Sequence, residues 1–156
     1  IDIVEQPLPR GNYTGLARVR AETGAKILAD ESCFDQYDAE RLAKLQAVDY
    51  FNIKLGKCAG LYNAMQMLKV AEEHKIHLQV GCFMESRLAI TALVHYAYCS
   101  DWIVHYDLDA PLFLKEDPIE GGMVYKENGV VKIDESPGLG ARLKSEYIAK
   151  AEKWGI

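Results

Sequence analysis

Apolar residues along this chain fall into two alternating rhythms. Short runs rich in Ile, Val, Leu and Phe occupy residues 1–4, Lys26–Ala29, Tyr50–Lys54, His77–Gly81 and Trp102–Tyr106, and runs of that length suit buried strands. Between them the apolar positions are three or four apart, the spacing of one helix face. Leu16 and Val19 predict a helix over Thr14–Glu22, with Gly24 as its stop. Leu42 and Leu45 predict another over Ala39–Gln46, capped by Asp35 or Asp38. Leu61, Ala64, Met65, Leu68 and Ala71 carry a third helix to about His74, and Arg87–Tyr98 makes a fourth. Pro7 and Pro9 forbid regular structure around them. Strand, loop and helix recur roughly every 25 residues, the period of βα units with a parallel sheet.

The rhythm changes after Pro111. Met123–Lys126 and Val130–Ile133 flank Glu127-Asn128-Gly129, and Asn-Gly is a strong hairpin signal. Ser136-Pro137-Gly138-Leu139-Gly140 breaks the chain again, and Leu143, Tyr147, Ala151 and Trp154 suggest a closing helix. This tail reads as an excursion, not a sixth βα unit. Five βα strands are too few for an eight-stranded barrel, which needs about 200 residues or more. They match a doubly wound sheet by number, but no Gly-x-Gly-x-x-Gly follows a strand. Charged residues instead mark the C-terminal ends of the runs, which favours a barrel face.

Those charges are the candidate chemistry. Glu5, Asp30 and Lys54 end three apolar runs at nearly equal intervals, and Asp107 and Asp109 follow the fifth. Two acids, a lysine and an acid pair at successive strand exits imply one active site. Asp107 and Asp109 are two apart, so on a regular strand they point the same way. A converging carboxylate pair suits a substrate ammonium.

Composition changes this picture little. The 156 residues are 49% hydrophobic and 26% charged, with a net charge of -5. A single domain with a real core fits that length, and scattered basic residues give no reason to expect nucleic acid. No apolar run approaches the roughly 18 residues of a membrane span. The chain opens on Ile1-Asp2 without a basic segment before an apolar stretch, so no signal peptide is expected. Cys33, Cys58, Cys82 and Cys99 are widely spaced. They read as reduced, mostly buried thiols, and a cytoplasmic location is expected. They and the four histidines lack zinc-site spacing.

Five motifs in order carry a resemblance: Val4-Glu5-Gln6-Pro7, Ala29-Asp30-Glu31-Ser32, Asn52-Ile53-Lys54-Leu55, Gly81-Cys82-Phe83-Met84-Glu85-Ser86 and Asp107-Leu108-Asp109. Together they resemble the C-terminal part of an enolase-superfamily enzyme of the muconate-lactonizing subgroup. The last motif resembles dipeptide epimerases, the L-Ala-D/L-Glu epimerases in particular. The resemblance implies an α/β fold, the C-terminal part of a (β/α)7β TIM-like barrel, with a C-terminal hairpin and helix returning to a capping domain. Residues 1–112 are then barrel, and residues 113–156 pack on capping domain and barrel. The capping domain and first barrel strands, with a Lys-x-Lys motif and a third metal acid, are expected in a missing N-terminal half. Without it, strand edges stay exposed.

By the same resemblance, Glu5 and Asp30 are Mg²⁺ ligands, Lys54 is the acid/base, and Asp107 and Asp109 bind the substrate's ammonium. The implied reaction is epimerisation of a dipeptide by α-proton abstraction through an enediolate, whose negative oxygens a divalent cation stabilises. A lysine base needs a lowered pKa, which a cation and a second lysine supply. Glu5 would otherwise pair with a lysine at its strand end. Glu31 is a partner orienting the metal site or a loop acid. Lys57 is a loop or supporting residue. Glu85 pairs with a lysine or is structural, and Ser86 caps the helix that follows. Gly81 lets backbone approach the substrate. An o-succinylbenzoate synthase or cycloisomerase is the runner-up, though an acid pair repels a dicarboxylate. A catalytically inactive half-barrel serving as an assembly piece is the reading from another class. Homo-oligomers are common in such families.

Overall fold

The computed structural model describes residues 1–150. Five parallel strands, β1 (Val4–Glu5), β2 (Ile27–Ala29), β3 (Tyr50–Ile53), β4 (His77–Val80) and β5 (Ile103–Tyr106), form one sheet in chain order. Helices α1 (Tyr13–Thr23), α2 (Gln36–Lys44), α3 (Leu61–His74) and α4 (Arg87–Ala97) make the crossovers. Right-handed crossovers that always step the same way leave every helix on one face. That is the winding of a barrel wall. A doubly wound sheet would reverse its strand order, and this one does not.

The core lies between sheet and helices. Leu16, Ile27, Phe51, Ile53, Leu78, Val80, Ile90 and Leu93 are essentially inaccessible, and full burial of such side chains contributes ~1.5–3 kcal/mol each. All three residues of β2 are buried, which explains its continuous apolar run.

Local signals fix the helix ends. Gly24 ends α1 at φ 67°, a left-handed position, with its N–H on the Arg20 carbonyl. Asp35 caps α2 by accepting the N–H groups of Tyr37 and Asp38. The helix therefore starts at Gln36, earlier than the expected Ala39. Asp38 is occupied elsewhere, accepting from the Tyr13 hydroxyl at 2.7 Å and the Phe34 amide at 3.1 Å. Its other end is Lys44, not Gln46, because Gln46 turns to φ 50°.

The strands are also tied at their N-terminal ends. Asp49, just before β3, accepts from Arg20 Nη2 at 2.8 Å, Arg20 Nε at 3.0 Å, Lys26 Nζ at 3.3 Å and the Ile27 amide at 3.0 Å. Burial alone would raise its pKa, but these donors hold the carboxyl below its ordinary range.

After β5 a 3-10 turn (Ala110–Phe113) leads into the tail. The expected hairpin forms as β7 (Val124–Tyr125) against β8 (Val131–Lys132), shorter than expected, with Asn128 and Gly129 at φ 58° and 74°. A second pair was not expected: β6 (Ile119–Gly121) runs antiparallel to β9 (Ala141–Leu143). Leu143 therefore belongs to a strand, and α5 (Ser145–Lys150) follows it. Tyr147 lies in α5, whereas Ala151 and Trp154 lie outside the described residues.

The tail folds back on α4. Arg87 Nε reaches Asp117 at 2.7 Å, and its other nitrogens donate to the carbonyls of Ile119, Gly121 and Met123. The Tyr125 hydroxyl donates to the Leu108 carbonyl. An apolar cavity of about 450 Å³ lies between α4, the segment after β5 and the hairpin, lined by Val94, Tyr98, Leu108, Leu112 and Tyr125. No described helix is long and apolar enough to cross a membrane. Cysteine burial is lower than expected: Cys33 and Cys58 are buried, Cys82 is partly exposed and Cys99 is exposed. The last two sit in a strand-end loop and after a helix end, where the core does not reach.

Candidate active site

The C-terminal ends of the parallel strands open into one mouth, and the chain brings its candidate residues there. Asp30 follows β2 and is 5% exposed. Lys54 follows β3, and its Nζ lies 2.8 Å from Asp30 Oδ2. Lys57 is buried in the turn beyond. Its three N–H groups are all used, on Asp30 Oδ1 at 2.5 Å, the Asp30 carbonyl at 2.7 Å and the Asn52 carbonyl at 2.8 Å. Lys57 is therefore a clamp on the Asp30 segment. Burial would raise the Asp30 pKa, yet the two lysines hold the carboxyl below its ordinary value.

Lys54 departs from expectation in its charge. Burial pushes its pKa down, but Asp30, with Glu5 and Glu31 adding, outweighs burial and leaves it raised. The expected lowering requires a bound cation and a second lysine; Lys57 lies on the other oxygen of the same carboxylate, and Asp30 still keeps the Lys54 pKa raised. The ammonium also faces the Phe83 ring at 5.1 Å.

Glu5 pairs with no lysine among the described residues. Its Oε1 accepts a 2.8 Å hydrogen bond from Asn52 Nδ2. Gln6, beside it, ties the first two motif loops together. Its Oε1 accepts the amides of Asp30 and Ser32 at 3.0 Å each, and its Nε2 donates to Ser32 Oγ and the Leu8 carbonyl. It does so from φ 39°, a left-handed position costly for a non-glycine residue. Sequence reasoning missed Gln6, Ser32 and Asn52. The motif residues were quoted, but no periodicity separates them from loop polar residues.

Asp107 and Asp109 do converge, by a different route. The strand ends at Tyr106, and Asp109 has already turned to φ -91°, ψ -11° as the cap of the 3-10 turn. The turn, not strand alternation, aims the second acid. Burial and then the Asp109 charge raise the Asp107 pKa, while Lys54 lowers it and Glu5 raises it further. All four charges thus share one field. Cys82 joins this group, its Sγ 3.8 Å from Asp109 Oδ1.

The remaining expectations divide. Glu31 is exposed, and its charge helps raise the Lys54 pKa. Glu85 makes no ion pair among the described residues; burial raises its pKa, against a backbone bond at Phe83 and the Lys54 charge. Ser86 holds the N-cap position of α4, but its hydroxyl makes no capping bond. Gly81 also has a packing reason to be glycine. A Cβ there would meet Asn52 Oδ1 at 2.3 Å.

A parallel wall wound in chain order, with its charges gathered at the strand exits, defines a segment of a β/α-barrel enzyme. The chain belongs to the enolase C-terminal domain-like family, whose model matches residues 1–147. It is 44% identical over 149 residues to the D-Ala-D/L-Ala epimerase of Cytophaga hutchinsonii, covering 96% of this chain and 40% of that protein. It is 38% identical over 140 residues to the L-Ala-D/L-Glu epimerase of Clostridium acetobutylicum, covering 90% and 39%. The structure of the Cytophaga hutchinsonii dipeptide epimerase, complexed with Mg and the dipeptide D-Ala-L-Val, superposes with a TM-score of 0.94 at 43% identity, over 97% of this chain and 41% of that one. The chain spans about two fifths of the length of the curated relatives it matches. The fold is the C-terminal barrel portion of these proteins.

The donor set fits a hard cation. Glu5 and Asp30 present carboxylate oxygens from neighbouring strands, and Mg²⁺ prefers oxygen ligands. The Glu5 carboxylate carries no ion pair among the described residues, so its charge is not neutralised. Asp30 Oδ2 is held by the Lys54 ammonium, whose place a cation could take.

Proposed function

We propose that this chain is the larger part of the active site of a Mg²⁺-dependent dipeptide epimerase. The observation that carries this is one mouth containing Lys54 Nζ at 2.8 Å from Asp30 Oδ2, with Glu5 and the Asp107–Asp109 pair acting on the same field. In this reading Glu5 and Asp30 would hold a Mg²⁺ ion, which would supply positive charge beside the substrate's carboxylate. Lys54 takes or returns that proton on one face of the α-carbon. With Asp30 Oδ2 given to a bound cation, Lys54 would lose the partner that holds its proton. Asp107 and Asp109 hold the ammonium terminus one residue away. Lys57 keeps the Asp30 backbone in place.

The complete functional unit has a second part, which supplies the capping domain, the third acid and the second base. In this reading residues 113–150 pack toward that part. Lys54 serves the reacting α-carbon and Lys57 is bound to Asp30, so neither is spare for a substrate side-chain carboxylate. An alanyl dipeptide with an apolar second residue therefore suits the described residues at least as well as Ala-Glu. The test is α-deuterium incorporation from D₂O by the complete protein with Mg²⁺, across a panel containing Ala-Ala and Ala-Glu diastereomers. Incorporation at one α-carbon is expected. No incorporation into any dipeptide would remove the reading.

A further inference from the structure

Asn52 is 1% exposed in the wall of the mouth, an unusual place for an amide. Its Nδ2 makes the hydrogen bond that the Glu5 side chain has among the described residues, at 2.8 Å. Its Oδ1 is buried and has no partner there. The orientation of the amide follows from chemistry, since its oxygen facing a carboxylate would be repelled. With Nδ2 on Glu5, Oδ1 is turned toward Gly81. A Cβ at Gly81 would lie 2.3 Å from that oxygen and 3.0 Å from Nδ2. Gly81 has no positive φ. The glycine is needed for room, not for conformation.

A position that only filled space would carry an apolar residue and strand no acceptor. A lysine would hold Glu5 as firmly but would cancel its charge, as Lys54 and Lys57 do for Asp30. A neutral amide fixes a carboxylate and leaves it negative.

We propose that Asn52 is a positioning residue that aims the Glu5 carboxylate for cation binding, and that Gly81 clears the space its amide occupies. This rests on the reading of Glu5 as a ligand. Partners that orient metal ligands typically change affinity 10–100-fold when removed.

The test uses Mn²⁺ as a paramagnetic probe, titrated into the complete protein and followed by electron paramagnetic resonance, with thermal unfolding of the metal-free protein alongside. N52L removes the donor at similar volume and relieves the stranded acceptor. It is expected to weaken Mn²⁺ binding at least 10-fold without lowering the metal-free midpoint. G81A alters no polar atom, yet is expected to weaken Mn²⁺ binding by displacing the amide. In N52A the space is free, so adding G81A is expected to weaken binding no further. Wild-type affinity in N52L, or full additivity of N52A and G81A, overturns the proposal and leaves the proposed function standing. Absence of Mn²⁺ binding by the wild type overturns both.

Discussion

Two aspartates at opposite ends of the sheet are held by pairs of cations, and they are held differently. Asp30 at the mouth takes Lys54 and Lys57. Asp49 at the floor takes Arg20, Lys26 and the Ile27 amide. Both carboxyls are kept below their ordinary pKa. The floor network fixes the start of β3 against β2 with a backbone donor and a two-pronged guanidinium. The mouth network uses two ammonium groups on flexible stems, one of them the residue proposed for catalysis. Paired charges that can be exchanged belong at the end of a barrel where chemistry occurs, and settled ones at the other.

The largest expected effect breaks the symmetry outright. K54M in the complete protein should lower α-deuterium exchange by about 10³-fold, in the range for loss of a general acid/base, with little change in unfolding midpoint. Equal exchange in K54M would make the mouth as structural as the floor. At the floor, D49A should cost ~2–3 kcal/mol in urea unfolding, because it leaves a partly buried arginine and a backbone amide without their acceptor. A loss of Mn²⁺ affinity there, without a loss of stability, would reverse the assignment.

Acid sharpens the comparison further. A depressed carboxyl contributes stability that is full above its unfolded pKa, about 3.9. That stability is lost as pH falls through the lower folded value. The wild-type urea midpoint should therefore drop between about pH 4 and pH 2, and D49N should drop less over the same range. The smallest effect belongs to Lys26, which is 59% exposed at 3.3 Å from Asp49. K26M should cost under ~1 kcal/mol and leave deuterium exchange within about twofold.

Much of the wall was legible because its signals are local. Gly24, Asp35 and Asn128-Gly129 each mark a boundary by their own backbone or side-chain preference. The β6–β9 pair was not legible, since three-residue strands carry no period and their anchor, Arg87, lies some thirty residues away in the chain. In the site, the strand-end positions of Glu5, Asp30 and Lys54 followed from where apolar runs stop. The partners did not. Asn52 with Glu5 is a contact 47 residues apart, and Lys57 reaches Asp30 only because the turn after Lys54 folds it inward. The raised pKa of Lys54 likewise depends on which acid it meets, not on its neighbours in sequence.

The Gln6 amide has a consequence for selectivity. Because it binds the Asp30 and Ser32 backbone from the residue next to Glu5, the two acid-bearing loops are constrained to move as one piece. In the proposed site the spacing of the two acid-bearing backbone segments is then set by the polypeptide, not by whichever ion arrives. A site with so little give is expected to discriminate by ionic radius, favouring the shorter bonds of Mg²⁺ over the longer, more variable ones of Ca²⁺.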